Sequence, residues 1–248
     1  MPQLILLRHG ESAWNLQNRF TGWVDVSLSE HGMAEAATAG KILRDWRFDV
    51  VFTSALLRAQ DTAYEVLKHN RHCRHYIRIH ETGSPRYSLY DKKAEDEGEL
   101  VVHVSEALNE RYYGDLQGLN KDEARARFGA EQVQQWRRGY RVQPPGGESL
   151  EMTSQRVMDY YHRVIEPCLR AGNTLLVPAH GNSLRALIMH LEDMTPDQIM
   201  AYELKTGTPH IYDFDAQLNL TGKIIMDKSE TAAVSTTQTK PEGAAHGA

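Results

Sequence analysis

Three short apolar runs, each closing on a polar cluster and each followed by a helical pattern, limit this chain to a small set of folds. They are residues 3–8 (QLILLR), 49–53 (DVVFT) and 174–179 (TLLVPA). Runs of this length without polar alternation fit strands covered on both faces. After the first run, Ser29 is a good N-cap, Leu28 and Met33 can form a hydrophobic staple, and Met33, Ala36, Ala37, Gly40 and Leu43 fall on one helical face. The second run precedes Leu56, Ala59, Ala63, Val66 and Leu67, and the third precedes Leu184, Leu187, Ile188 and Leu191, all at helical spacing. Repeated strand-to-helix units predict an α/β fold: a three-layer sandwich with a mainly parallel sheet flanked by helices.

Between these units the rhythm breaks. Residues 70–105 are rich in His, Arg, Asp and Glu, with a Gly83-Ser84-Pro85 turn and an acidic run from Glu95 to Glu99, and read as an excursion over the sheet. Helical segments are expected over about 120–138 and 149–170, parted by Pro144-Pro145-Gly146-Gly147. The expected organisation is one domain over 1–228, with a small lid lobe mainly from 70–148, and a disordered tail over 229–248, which holds no aromatic residue. In 248 residues, 41% are hydrophobic, enough for a sizeable core, and the net charge of −5 offers no basic face for nucleic acid. Leu4 to Leu7 is too short for a signal-peptide core, and no run is long enough to span a membrane. Cys73 and Cys168 make no disulfide framework and fit free thiols in the cytoplasm.

In an open α/β sheet, ligands bind beyond the carboxyl ends of the strands, where helices present free N–H groups. The three units would bring Arg8, His9, Gly10 and Glu11, then Ser54 and Arg58, then His180, Gly181 and Asn182 to one crevice. Guanidiniums clamp phosphoryl oxygens, and an imidazole is a competent nitrogen nucleophile near neutral pH, so the set suits phosphoryl transfer through a phosphohistidine. His69, His72, Cys73 and His75 carry metal-ligand chemistry, yet Arg71 and Arg74 between them disfavour a divalent ion, and an exposed helix end is the preferred reading.

RHGESAWN from Arg8 and AHGNSLR from Ala179 resemble the histidine phosphatase superfamily. With FTGWVDVSLSEHG from Phe20, TSALLRAQDTA from Thr53, LNERYYGDLQGLNK from Leu108 and WRRGY from Trp136, the chain is similar to its cofactor-dependent phosphoglycerate mutases. The resemblance implies that His9 is phosphorylated, that Arg8, Arg58 and His180 surround the transferring group, and that Glu110 gives and takes the substrate proton. It also implies that Asn15, Thr21, Gly22, Arg111, Tyr112, Tyr113, Lys121, Arg137, Arg138, Gly181 and Asn182 bind a small phosphorylated substrate. The reaction so implied is interconversion of 3-phosphoglycerate and 2-phosphoglycerate, primed by 2,3-bisphosphoglycerate, without a metal; a homodimer is compatible with it. Two departures affect the cover of the site: the stretch between Arg58 and Glu110 is longer than the resemblance implies, and WRRGYRVQPPGGES passes almost directly into the next helix. A phosphomonoesterase using the same histidines is therefore the rival enzyme, and a non-catalytic phospho-ligand scaffold the rival of another class.

Overall fold

The computed structural model of the protein describes residues 1–80 and 99–226. Among the described residues the sheet has seven strands: β1 (Gln3–Arg8), β2 (Val50–Ser54), β3 (Ile77–His80), β4 (Val101–Ser105), β5 (Thr174–Ala179), β6 (Pro209–Phe214) and β7 (Leu220–Ile225). In space they run β3-β4-β2-β5-β1-β6-β7. The first five are parallel; β6 and β7 close one edge antiparallel.

Successive side chains of a strand point to opposite faces, and β1 fills both. Leu4 and Leu6 enter one core with Phe52, Leu175 and Val177; Ile5 and Leu7 enter the other with Val51 and Leu176. The first core is covered by α6 (Leu150–Tyr160), α7 (Glu166–Arg170) and α8 (Gly181–Leu191), through Val157, Leu169, Leu184, Leu187 and Ile188. The second is covered by α2 (Glu30–Ile42) and α3 (Leu57–His69), through Ala39, Ala63, Val66 and Leu67. Two layers of helices on a mainly parallel sheet are the architecture the three strand-to-helix units predict.

Helix α2 starts after Ser29, whose hydroxyl accepts from the Gly32 N–H, but its inward face is rotated from the expected one. Gly32, Glu35, Ala36, Ala39 and Gly40 are buried, while Met33 is 40% exposed. The cause is a close approach of backbones. A Cβ on Gly10 would fall on the Gly32 carbonyl, and one on Gly32 would fall on the Glu11 carbonyl. The glycine must face inward, which turns Met33 out.

Residues 70–105 also differ from expectation. Ile77–His80 and Val101–Ser105 are not an excursion: they pair in parallel and add β3 and β4 to the sheet beside β2. The Gly83-Ser84-Pro85 turn, most of the acidic run and the tail expected over 229–248 lie outside the described residues. Above the carboxyl ends of the strands, α4 (Lys121–Phe128) and α5 (Ala130–Arg138) meet at Gly129, whose φ of 86° suits glycine. They share a separate small core of Phe20, Leu116, Ala124 and Val133, flanked by Tyr113 and Trp136. Among the described residues no helix is long and apolar enough to cross a membrane.

Candidate active site

Strands β1 and β5 are parallel neighbours with Arg8 opposite Ala179, so the residues that follow, His9 and His180, emerge side by side. Their rings meet edge to face with centroids 4.9 Å apart. His9 is buried, and its Nδ1 lies 2.6 Å from the Gly10 carbonyl oxygen. A carbonyl can only accept, so Nδ1 carries the proton and Nε2 keeps its lone pair. Burial, with Arg58 and Arg8 nearby, pushes the His9 pKa well below its ordinary value, while the Gly10 hydrogen bond opposes this weakly. At neutral pH the ring is therefore an uncharged nitrogen base.

His180 is likewise buried and held neutral, chiefly by desolvation and then by Arg58. Its Nε2 is 2.6 Å from Ser54 Oγ, which arrives on β2, the strand beside β5. The Ser54 hydroxyl also accepts from the Leu56 N–H at the start of α3, tying the ends of β2 and β5 to that helix.

Arg58 lies one residue into α3. Both its terminal nitrogens donate to carbonyls of the loop before α2, NH2 to Gly22 at 2.8 Å and NH1 to Val24 at 3.0 Å. Burial lowers its pKa to about 10, so it stays charged at neutral pH. Asn15 is fixed by the Ser12 cap of α1 (Ala13–Leu16), with its Oδ1 accepting from the Ser12 N–H and hydroxyl. Glu110 Oε1 accepts from the backbone N–H groups of Arg111, at 2.8 Å, and Asn182, at 3.1 Å. Among the described residues, no hydrogen bond engages Oε2.

These groups line a cavity of about 140 Å³. Of the residues expected in the site, Arg8, His9, Asn15, Thr21, Gly22, Arg58, Glu110, Tyr113, Lys121, Arg137, Arg138, Gly181 and Asn182 share its wall. Three expected residues do not. His180 stands behind His9. Arg111 is fully buried and donates to the Trp136 and Arg137 carbonyls while its guanidinium covers the Tyr113 ring, so it anchors the end of α5. Tyr112 is half-exposed and packs edge-on against Trp23.

Sequence reasoning left out Arg19, Phe20 and Arg185, which line the cavity too. Arg185 was detectable: it follows Gly181 by four residues at the start of a helix and so shares its face. The wall carries seven cationic side chains, Arg8, Arg19, Arg58, Lys121, Arg137, Arg138 and Arg185, against one carboxylate, Glu110. Burial and the neighbouring Arg137 lower Lys121 to about 8. Such unbalanced positive charge is costly until an anion of several charges enters. Around Cys73, by contrast, His69 Nε2 is engaged by Glu65 at 3.1 Å, and no group of three ligating side chains is placed to hold a metal among the described residues.

The chain matches the histidine phosphatase superfamily (branch 1) over residues 4–87 and 91–220. It is 57% identical over 227 residues to a 2,3-bisphosphoglycerate-dependent phosphoglycerate mutase of Pseudoalteromonas atlantica, covering 92% of this chain and 100% of that one. It is 49% identical over 226 residues to a phosphoglycerate mutase of Schizosaccharomyces pombe, covering 90% and 95%. Among solved structures, an alpha-ribazole phosphatase from Shigella flexneri superposes with a TM-score of 0.69 at 26% identity, covering 91% of this chain and 96% of that one. With paired histidines at neighbouring strand ends and these relatives along nearly its whole length, the chain belongs to the histidine phosphatase superfamily and, within it, to the 2,3-bisphosphoglycerate-dependent phosphoglycerate mutase family.

Proposed function

We propose that this protein interconverts 3-phosphoglycerate and 2-phosphoglycerate by carrying a phosphoryl group on His9 Nε2, after priming by 2,3-bisphosphoglycerate. The observation that carries the reading is a neutral His9 with a free Nε2, set in a wall of seven cations and one carboxylate. A simple phosphate monoester would leave much of that charge unbalanced, whereas a bisphosphorylated acid matches it. The relatives' names point to the same substrate.

In the priming step His9 Nε2 attacks one phosphorus of the bisphosphoglycerate. The N–P bond forms as the ester P–O bond breaks, and Glu110 gives its proton to the departing hydroxyl oxygen. With 3-phosphoglycerate bound, Glu110 takes the proton of the 2-hydroxyl while that oxygen accepts the phosphoryl group from His9. Reorientation of the resulting bisphosphoglycerate then lets His9 take back the group on O3 and Glu110 return the proton there, releasing 2-phosphoglycerate. Arg8 and Arg58 neutralise the transferring oxygens, His180 packs against the His9 ring and holds it in place, and Arg137, Arg138, Lys121 and Tyr113 hold the remaining anionic groups. The arginines supply the charge neutralisation for which other phosphoryl-transfer sites use a metal, so none is required. Cytoplasmic residence belongs to this reading and agrees with two free cysteines.

Incubating the purified protein with 3-phosphoglycerate, with and without 2,3-bisphosphoglycerate, and following 2-phosphoglycerate against inorganic phosphate tests it. Primer-stimulated 2-phosphoglycerate is expected to dominate. Inorganic phosphate as the main product would make the protein a phosphomonoesterase, and neither product would make it a binding scaffold.

A further inference from the structure

Between α9 (Pro196–Ala201) and β6 the chain passes the reaction cavity without helix or strand, and its backbone orients one of the cavity's arginines. Arg185 donates to the Tyr202 carbonyl through both Nε and NH2, at 3.2 and 3.1 Å. Two donors of a planar group on one oxygen fix the plane of the guanidinium, so the Tyr202 carbonyl sets where Arg185 points. Further along, the Leu204 carbonyl accepts from Arg8 NH1 at 2.7 Å and the Gly207 N–H donates to the Arg8 carbonyl at 2.9 Å, which ties that end of the stretch to β1. The Tyr202 end is held by its N–H on the Ile199 carbonyl, at 3.2 Å, and by its side chain. The Tyr202 hydroxyl accepts from Lys223 Nζ, on β7, at 3.1 Å and lies 3.3 Å from His210 Nδ1, on β6. Lys223 Nζ also donates at 2.6 Å to Oε1 of Glu192, just past α8, and the Tyr212 hydroxyl donates to the same oxygen at 2.7 Å. The ammonium stands 5.1 Å from the centre of the Tyr202 ring, whose face attracts cations. With Lys223 25% and Glu192 16% exposed, the pair is screened less than a surface one. Apolar side chains of similar volume often stabilise a fold as well as a shielded ion pair does. What the ion pair adds here is one fixed place for the Tyr202 hydroxyl.

We propose that Lys223 is a positioning residue for the reaction: by holding the Tyr202 hydroxyl it holds the Tyr202 carbonyl, and with it the aim of Arg185 into the cavity. None of Lys223, Glu192, Tyr202 and Tyr212 lines that cavity, so the effect reaches substrate only through the guanidinium. Strand β7 thus contributes to substrate binding without meeting substrate. This rests on the reaction proposed above.

The test is a set of double-mutant cycles on Lys223→Met, Tyr202→Phe and Arg185→Gln, with Lys223→Met combined in turn with each of the other two. KM and kcat for 3-phosphoglycerate are measured at saturating 2,3-bisphosphoglycerate, affinity for 2,3-bisphosphoglycerate by calorimetry, and folding by thermal melts. Lys223→Met and Tyr202→Phe are each expected to raise KM by about three- to tenfold, in the range of couplings between residues in contact, with a smaller change in kcat. Tyr202→Phe should add little to Lys223→Met. In the Arg185→Gln background Lys223→Met should change KM by less than about twofold, the scatter of independent sites. Lys223→Arg, which keeps the charge and its donors, should restore most of the wild-type KM. A lowered melting temperature with wild-type KM would make Lys223 a brace for the β6–β7 hairpin and overturn the proposal, as would a Lys223→Met effect that persists in full in the Arg185→Gln background. The cycle read by calorimetry needs no turnover. Should the wild type bind bisphosphoglycerate yet make no 2-phosphoglycerate, the mutase reading fails, while a loss of affinity in Lys223→Met that vanishes in the Arg185→Gln background keeps the positioning role.

Discussion

His9 owes its chemistry to a single carbonyl. Gly10 oxygen pins Nδ1, so Nε2, the nitrogen proposed as nucleophile, needs no general base to free it. His9→Ala is expected to abolish turnover while the protein still melts cooperatively within a few degrees of wild type, because among the described residues the ring hydrogen-bonds only to its own neighbour, Gly10. Circular dichroism melts alongside the coupled assay check both halves; retained turnover would remove His9 from the mechanism. Glu110 divides its two oxygens between tasks. Oε1 is held by the Arg111 and Asn182 amides, and in the proposed reaction Oε2 carries the proton. In Glu110→Gln the amide oxygen can keep both backbone contacts, so the site should still accept a phosphoryl group while mutase turnover falls by roughly 10²–10⁴-fold. Rapid-quench measurement of phosphoenzyme against steady-state rate separates the two, and an unchanged rate would place the acid-base group elsewhere.

At the scale of elements, the strand ends are delivered by devices remote from the chemistry. The loop carrying His9 is wedged by the backbone contact between Gly10, Glu11 and Gly32. Gly32→Ala, harmless in an ordinary helix, should here force the loop from α2 and cost about 2–3 kcal/mol of stability, in the range for overpacking. A urea melt checks it, and a neutral or stabilising result would mean the contact is slack. On the other side, Arg156 of α6 pairs with Glu148 at 2.8 Å and donates through NH1 to the Ala107 carbonyl at 2.8 Å and through NH2 to the Glu110 carbonyl at 3.4 Å. Trp23 Nε1 donates to the same Glu110 carbonyl at 2.5 Å. Arg156→Ala should therefore lower kcat more than it raises KM, since it frees the Glu110 loop without touching the arginine wall; the reverse split would contradict that role. The strands β1, β2 and β5 and the faces of α3 and α8 were legible because buried, two-sided strands and long helices leave uninterrupted apolar patterns. Strands β3 and β4 were not: four and five residues, set among charged neighbours, carry too little pattern to stand out. The rotation of α2 was hidden because it follows from a backbone approach that hydrophobic spacing does not encode. In the site, motif residues on strand ends and helix starts converged, while Arg111 and Tyr112 joined the expected set only through their neighbours in the motif and belong to the support behind it.

For the whole molecule, the buried histidines set the acid limit. His103 and His210 have pKa values lowered to about 4 by burial, and His9 and His180 are lowered well below the ordinary value of 6.5. Below pH 6.5 the unfolded chain binds protons that the folded one refuses, so stability falls as pH drops from about 6.5 towards 4. For His210, with its Nδ1 3.3 Å from the Tyr202 hydroxyl, the loss amounts to about 3 kcal/mol by the lower end. Denaturant melts across that range should show the decline, and His210→Gln should flatten it; equal slopes would mean His210 does not carry this term. The central claim is that His9 holds the phosphoryl group in transit, and the most direct measurement maps it. Protein treated with 2,3-bisphosphoglycerate is digested under conditions that preserve phosphohistidine, sequenced by mass spectrometry, and in parallel chased with 3-phosphoglycerate. The label is expected on His9, lost on chasing with transfer to phosphoglycerate, and absent from His9→Ala. Label on another residue, or on His9 but released only to water, would contradict the account.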